Sequence, residues 1–485
     1  MSAARDVRIA ALAAAAVALA YLNSFAGVFQ FDDFKVIVAN PAVHSLGAWL
    51  DDMRGGIRPV LKLTYALNWI AGPGEAGFHA FNLAIHIANT LLVFWLARQL
   101  AAGHGLEDRD ARAAAAVAAL LFGLHPAQTE AVTYVSGRSA SLMATFYLGG
   151  LAAYAAGSVR GNRWLLYGVS PALFALAVAT KEVAITFPLA LLWWEACGGE
   201  GARDWRAIAR RQAVHWALLL AAIIALLAHP QYAVRLVPAL DAQSLRHNAI
   251  TQVDAVTYLV LRLVRVYPLN IDPDLRAATE WNLTLAVESA FLAALAIAAV
   301  LWRKRRPWWG LGLAWFVIHL LPTNSLLPRA DLANDRHLYL ACMGLFVAAG
   351  IEVARALSGR RTRAWAPVAA VLLLLAVATA VRNRDYASEV ALWEQTAAVS
   401  PEKPRAFNNL GHAYVQVGRD DLAEAAYREA LRLHPGYDLA RTNLERLAAC
   451  GLIDSHVHLN NLDLQLDASR ACSRPGATAA SGRSR

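Results

Sequence analysis

Apolar runs close to the length needed to cross a bilayer recur along almost the whole chain, and this recurrence limits the fold more than any other feature. In hydrocarbon a segment must satisfy its own backbone hydrogen bonds, so runs of about 20 apolar residues cross as helices. They fall at Ile9 to Phe29, Phe78 to Ala97, Ala113 to Leu124, Ser139 to Ala156, Trp164 to Ala179, Val183 to Ala196, Val214 to Ala228, Leu283 to Trp302, Trp308 to Leu321, Leu338 to Val353 and Trp365 to Val381. That predicts roughly eleven spans, the shorter ones needing packed neighbours. With 58% hydrophobic and 17% charged residues the chain is too apolar for a soluble fold of its length. The expected class is all-α and polytopic. Basic residues precede the first run, but no small-residue cleavage site leads into a soluble domain, so it is read as a retained span.

Arginine and lysine set the orientation. Arg5 and Arg8 precede the first run, Arg98, Arg109 and Arg112 follow the second, and Arg160 and Arg163 the fourth. Further clusters are Arg203, Arg206, Arg210 and Arg211, then Arg303 to Arg306, then Arg355, Arg360, Arg361 and Arg363. They occupy alternate loops, which places the N-terminus in the cytoplasm and the chain beyond Val381 outside. The net charge of +9 is thus a topology signal, and a nucleic-acid partner is not expected. Val253 to Tyr267 is apolar but carries Asp254, Arg262 and Arg265, and reads as an amphipathic or re-entrant helix within an external loop.

The remaining polar residues then gather on one side. External loops hold Asp32, Asp33, Arg58, His125, Glu130, Arg138, Lys181, Glu182, Arg329, Asp331, Asp335, Arg336 and His337, whereas the cytoplasmic loops are short and basic. A transporter would put its ionisable residues near the midplane, in broken helices. Collection at one face instead points to a reaction at the outer membrane surface. Asp32 and Asp33 stand out, because a carboxylate pair where a span meets water is either a solvated turn or a reactive site. His79 and His86, at helical spacing on the second run, read as packing residues.

Beyond Val381 the character changes. PRAFNNLGHAYVQVGRDDLAEAAYREALRLHPG, residues 404 to 436, has the small-and-large pattern of a tetratricopeptide repeat with a period of about 34 residues. Tyr386 to Val399 resembles the second helix of a preceding repeat, and Tyr437 to Ala449 the first helix of a following one. The chain divides into a membrane domain at 1–383, with its acidic pair in a loop at about 30–77, a repeat domain at 384–450, and a disordered tail at 451–485. In that tail Asp454-Ser455-His456-Val457-His458 resembles a metal-hydrolase ligand strand, but the barrel and partner strands such a motif needs are missing. Cys197, Cys342, Cys450 and Cys472 form no spaced framework.

Taken in order, the blocks Phe31-Asp32-Asp33, Arg58-Pro59, HAFNLAIHIAN (79–89), LHPAQTEAVTYVSGR (124–138), TKEVAIT (180–186), LPTNSLL (321–327), DRHLY (335–339) and then the repeats resemble the transmembrane and tetratricopeptide-repeat family of O-mannosyltransferases and its bacterial relatives, of GT-C type. The resemblance covers residues 5 to about 450, although family members carry many more repeats. It implies an inverting hexosyltransferase of the bacterial inner membrane, with N-terminus cytoplasmic and repeats periplasmic. Its donor would be a mannose-like hexose on a polyprenyl-phosphate carrier, and its acceptor a hydroxyl, of protein Ser/Thr or of an envelope glycan. Other expected partners are membrane lipids and a protein bound through the repeats. No cofactor is implied, and metal independence is expected.

That chemistry explains the residue types. An acceptor hydroxyl is a weak nucleophile, so a carboxylate must take its proton as the sugar carbon becomes oxocarbenium-like. Asp33 is expected as this base and Asp32 as its orienting neighbour. The leaving phosphate needs donors and cations, for which Arg58, Arg138, Lys181, Arg336 and His337 are candidates, with His125, Glu130 and Glu182 placed to orient the loop or bind sugar. Two other classes fit the same outline. One is a non-catalytic scaffold recruiting envelope proteins through its repeats, the other a polysaccharide ligase or polymerase using a lipid diphosphate.

Overall fold

A computed structural model describes residues 2–198, 204–232, 242–325 and 331–455. Arg203, Arg329, Cys472, His456 and His458 lie outside the described residues, as do the side chains of Cys450 and Asp454 and the greater part of the tail. Among the described residues all regular structure is helical. Seven helices among the described residues are long and apolar enough to cross a membrane: Ala4–Ala26, Glu75–Gly103, Val135–Arg160, Trp205–Ala228, Leu283–Arg305, Asp335–Leu357 and Thr362–Ala387. The other four apolar runs lie on shorter helices, Asp108–Leu124, Leu165–Thr180, Phe187–Cys197 and Pro307–Leu320. At 1.5 Å per residue the last two fall well short of ~30 Å of hydrocarbon. Seven spans therefore rest on helix length, against the expected eleven. Val253 to Tyr267 also resolves differently: one helix runs Ala242–Arg262 and the chain then turns. Its inward face is mixed, with Asn248, Thr251, Gln252 and Arg262 buried beside Ile250, Ala255 and Leu259.

The chain separates into two compact units, Met1–Tyr267 with Leu275–Tyr386, and Pro268–Asp274 with the chain from Ala387 onward. In the first unit the core lies among the 75–103, 108–124, 138–160 and 338–357 helices. Alanine-rich faces there (Ala111, Ala114, Ala115, Ala118) allow close backbone approach, and Tyr147, Tyr154 and Trp315 fill the remaining volume. His86 is fully buried in this core, bonded through Nδ1 to the Tyr339 hydroxyl at 2.8 Å and through Nε2 to the Gly123 carbonyl at 3.0 Å. His79 approaches the Gly27 carbonyl at 3.1 Å. Both are the packing residues their spacing predicts.

The second unit is built on the helices Glu389–Val399, Pro404–Gln416, Asp420–Leu433 and Asp438–Ser455. Gly411 packs face-on to Tyr427, so close that a Cβ would lie 2.6 Å from the ring. Gly418 makes the turn between the second and third helices at φ +73°. Segment 268–274 belongs to this unit: the Asp272 carboxylate takes the Arg405 guanidinium at 2.6 Å, and Asn270 donates to the Ser400 hydroxyl at 2.7 Å.

Candidate active site

After the first span the chain leaves the helix through a short turn, Leu22–Ala26, and an extended stretch to Gln30. Phe31 then takes left-handed backbone at φ 45°, a conformation costly for a residue with a Cβ. The acidic pair that follows is unequally covered. Asp33 is fully buried; its Oδ2 accepts from the Gln30 amide at 3.0 Å and its Oδ1 from the Ser136 amide at 2.7 Å. Burial pushes this carboxyl up, the two amides offset only part of that, and it rests at about 7 against an ordinary 3.8. Asp32 is half-buried, and its amide donates to the Tyr134 hydroxyl at 3.0 Å.

Both tethers come from the segment 125–138, which is itself tightly folded. His125 accepts from the Ala127 amide through Nδ1 at 3.2 Å and faces the Leu263 carbonyl through Nε2 at 3.2 Å. Burial pulls its pKa down to about 4, so it is a neutral imidazole serving the backbone. Gly137 lies so close to the Glu130 carbonyl that a Cβ would sit 1.9 Å from it. Glu130 points the other way, its Oε2 accepting from the Arg336 amide at 3.1 Å and its Oε1 standing 3.6 Å from Arg336 Nε. Burial pushes the Glu130 carboxyl up and Arg336 offsets part of it, leaving it at about 7. Arg336 also reaches Asp331 at 3.5 Å and interacts electrostatically with Asp32.

Arg138 closes the segment and is wholly buried. Its Nε donates to Asn82 Oδ1 at 2.6 Å, Nη1 to the Thr64 carbonyl at 3.3 Å and Nη2 to the Phe78 carbonyl at 3.1 Å, with the guanidinium over the rings of Tyr65, Phe78 and Phe81. It ties the 59–71 and 75–103 helices beneath the acidic pair and interacts electrostatically with Asp33. Arg58, the second non-glycine residue with positive φ among the described residues, precedes Pro59 at the start of the 59–71 helix. It grips Glu182 with both forks, Nη2 to Oε1 at 2.7 Å and Nε to Oε2 at 3.1 Å. Burial pushes Glu182 up, but the Arg58 guanidinium more than reverses this and leaves it at about 2.

Lys181, Arg336 and His337 line one cavity, which the other cations do not enter. Its apolar wall is Met143, Val183 and Leu340, and its remaining polar lining is Thr323 and His319. His319 is buried, and its Nδ1 contacts the Trp315 carbonyl at 2.7 Å. Its Nε2 has no hydrogen-bond partner among the described residues. The Tyr65 hydroxyl is a second such orphan, buried and in electrostatic contact with Arg138, Asp33, Arg58 and Arg336. Sequence reasoning missed both. His319 carried one signal, a single ionisable residue inside an apolar run. Tyr65 carried none, since tyrosine on a half-apolar helix is ordinary. The arrangement thus brings Lys181, Arg336 and His337 to one cavity, with a half-exposed carboxylate, Asp32, in the field of that same arginine.

Residues 404–437 match the tetratricopeptide repeat family. The chain is 25% identical to the protein O-mannosyl-transferase F38B6.6 of Caenorhabditis elegans, over 86% of its own length and 61% of that protein. It is 24% identical to mouse protein O-mannosyl-transferase TMTC3, over 89% of its length and 51% of the relative, and 33% identical to Drosophila melanogaster Tmtc2 over 34% of its length and 19% of the relative. The chain thus spans about half to three fifths of the length of the relatives it matches along most of its course. No solved structure matches. The chain is similar, along most of its length, to the protein O-mannosyl-transferases of the TMTC group, and it carries a tetratricopeptide repeat.

Proposed function

We propose that this protein is a membrane glycosyltransferase of GT-C type. It moves a mannose-like hexose, with inversion, from a polyprenyl-phosphate carrier to an acceptor hydroxyl at the external face, on Ser or Thr of a protein. The observation that carries this reading is the cavity lined by Lys181, Arg336 and His337, with Asp32 in electrostatic contact with Arg336. In this reading the cations and His319 hold the lipid phosphate and take up the charge that grows as the glycosidic bond breaks. The apolar wall accommodates the first carrier carbons. A carboxylate on the opposite face of the sugar takes the acceptor proton.

We assign that carboxylate to Asp32, with Asp33 holding the loop, the reverse of the expectation from sequence. What supports the exchange is that both Asp33 oxygens already accept backbone amides where the side chain is fully buried, whereas Asp32 is half-exposed. Metal independence belongs to the same proposal. Transfer from a synthetic polyprenyl-phosphate mannose to a Ser/Thr peptide tests it. Asp32→Asn is expected to lower turnover by about 10²- to 10⁴-fold with an unchanged melting profile. Wild-type turnover in a folded Asp32→Asn protein would end the base assignment. Absence of saturable donor binding by the wild-type protein would end the enzymatic reading in favour of a scaffold.

A further inference from the structure

A groove of about 330 Å³ lies between the 108–124 helix and the 366–383 helix, away from the cavity beside Arg336. Ala113, Ala116 and Leu120 form one wall, and Val368, Ala369 and Leu372 the other. The walls run for about two helical turns, or about 10 Å. Alanine, valine and leucine line both walls, so the groove is apolar along this length.

Its mouth is different. Arg109 and Trp365 line it, the chain turns there through Gly359 at φ +68°, and Arg360, Arg361 and Arg363 follow in the next four residues. All four arginines are exposed, and among the described residues none has a carboxylate partner. Two nearby acids have partners of their own. Asp108 pairs with Arg98 and Arg112, and Asp110, which also lines the groove, accepts from the Ser358 hydroxyl at 2.5 Å. An interfacial tryptophan, unpaired arginines and an apolar slot running from them into the span region form one continuous surface. It matches a molecule with an anionic head and hydrocarbon tails.

We propose that this groove is a binding site for an anionic glycerophospholipid, with its phosphate at Arg109, Arg360, Arg361 and Arg363 and one acyl chain between the two helices. The basic loops that form its mouth are those the positive-inside rule assigns to the cytoplasm, opposite the acidic pair, so the lipid is a separate ligand from the sugar carrier. Charge complementarity fixes the occupant: a zwitterionic lipid satisfies the slot but not the four arginines.

The test uses the full-length protein in nanodiscs of equimolar phosphatidylglycerol and phosphatidylcholine, with retained lipid counted by native mass spectrometry. The wild type is expected to keep phosphatidylglycerol selectively. Near a membrane surface each arginine contributes about 1 kcal/mol, or about fivefold, so Arg109→Gln with Arg361→Gln should lower that selectivity by about 25-fold. Ala116→Trp, which fills the slot, should release the lipid whatever its head. Should that variant fail to insert, the arginine pair decides alone, because both side chains are exposed. Lys304→Gln with Arg305→Gln, an equal charge loss away from the groove, should leave retention unchanged. The proposal is overturned if wild type holds both lipids alike, if the two charge pairs act equally, or if the retained species is a polyprenyl phosphate.

Discussion

Each buried carboxyl near the acidic loop records a local balance between dehydration and its donors, and the balances differ in sign. Asp33 has two amide donors but no salt-bridge partner among the described residues, so burial wins and its proton is held up to about pH 7. A folded-state pKa above the unfolded one means that the folded chain binds more protons between about 4 and 7. The stabilisation is full below about pH 4 and is lost as pH rises through 7. Asp33→Asn should therefore flatten the fall in melting temperature between pH 5 and pH 8 relative to wild type, measured by thermal unfolding in detergent. An unchanged slope would remove Asp33 from this role. Glu182 behaves oppositely: the Arg58 fork holds it at about 2, so its contribution persists above about pH 4.5 and fades as pH falls toward 2. In a double-mutant cycle, Arg58→Gln and Glu182→Gln should show a coupling of about 1–2 kcal/mol, above the range for exposed pairs because both side chains are largely covered. Additive effects would show that the pair contributes nothing as a pair. At this scale the sequence disclosed which residues carry charge but not their partners, since Arg58 and Glu182 are 124 residues apart.

The elements that position the site are short and irregular, and hydrogen bonds between side chains and backbone amides join them. The segment 125–138 reaches Asp33 through the Ser136 amide, Asp32 through the Tyr134 hydroxyl and Arg336 through Glu130. Gly137 lets this segment fold on itself. Gly137→Ala puts a methyl group into the Glu130 carbonyl and should displace Ser136, destabilising the protein by about 1–3 kcal/mol and lowering transfer further than the stability loss explains. Turnover unchanged at full stability would show that the segment is not what aligns the pair. The hydrophobic periods foretold the long helices because lipid and core impose them. They said nothing of where the broken stretches 27–58, 125–138 and 331–337 converge, because such loops are defined by hydrogen bonds without a period. Arg138 shows the limit well. An arginine in an external loop invited a phosphate-binding role, yet its donors meet Asn82, Thr64 and Phe78 inside the protein.

For the whole molecule, the chemistry proposed above predicts donor choice and metal use together. A cavity with cations for one phosphate should favour a monophosphate carrier, so a polyprenyl-diphosphate sugar should compete at least tenfold more weakly, a gap of about 1.4 kcal/mol. Turnover should be unchanged after dialysis against a chelator, and loss restored by magnesium or manganese would require a different account of the leaving group. Overall fold class was readable from sequence because membrane solvation leaves few choices. The number of spans was less so, because an apolar run of 11 to 17 residues reads alike whether it faces lipid or protein.

The membership of Pro268–Asp274 in the repeat unit bears on how this protein can be altered. The polypeptide passes between the two units three times, after Tyr267, after Asp274 and after Tyr386. The repeats are therefore not a detachable C-terminal cassette. A chimera joined at residue 387 would leave the native partners of Arg405 and Ser400 behind in the host chain, so any exchange of repeat arrays, by engineering or by recombination, has to bring a matching insert at 268–274 with it.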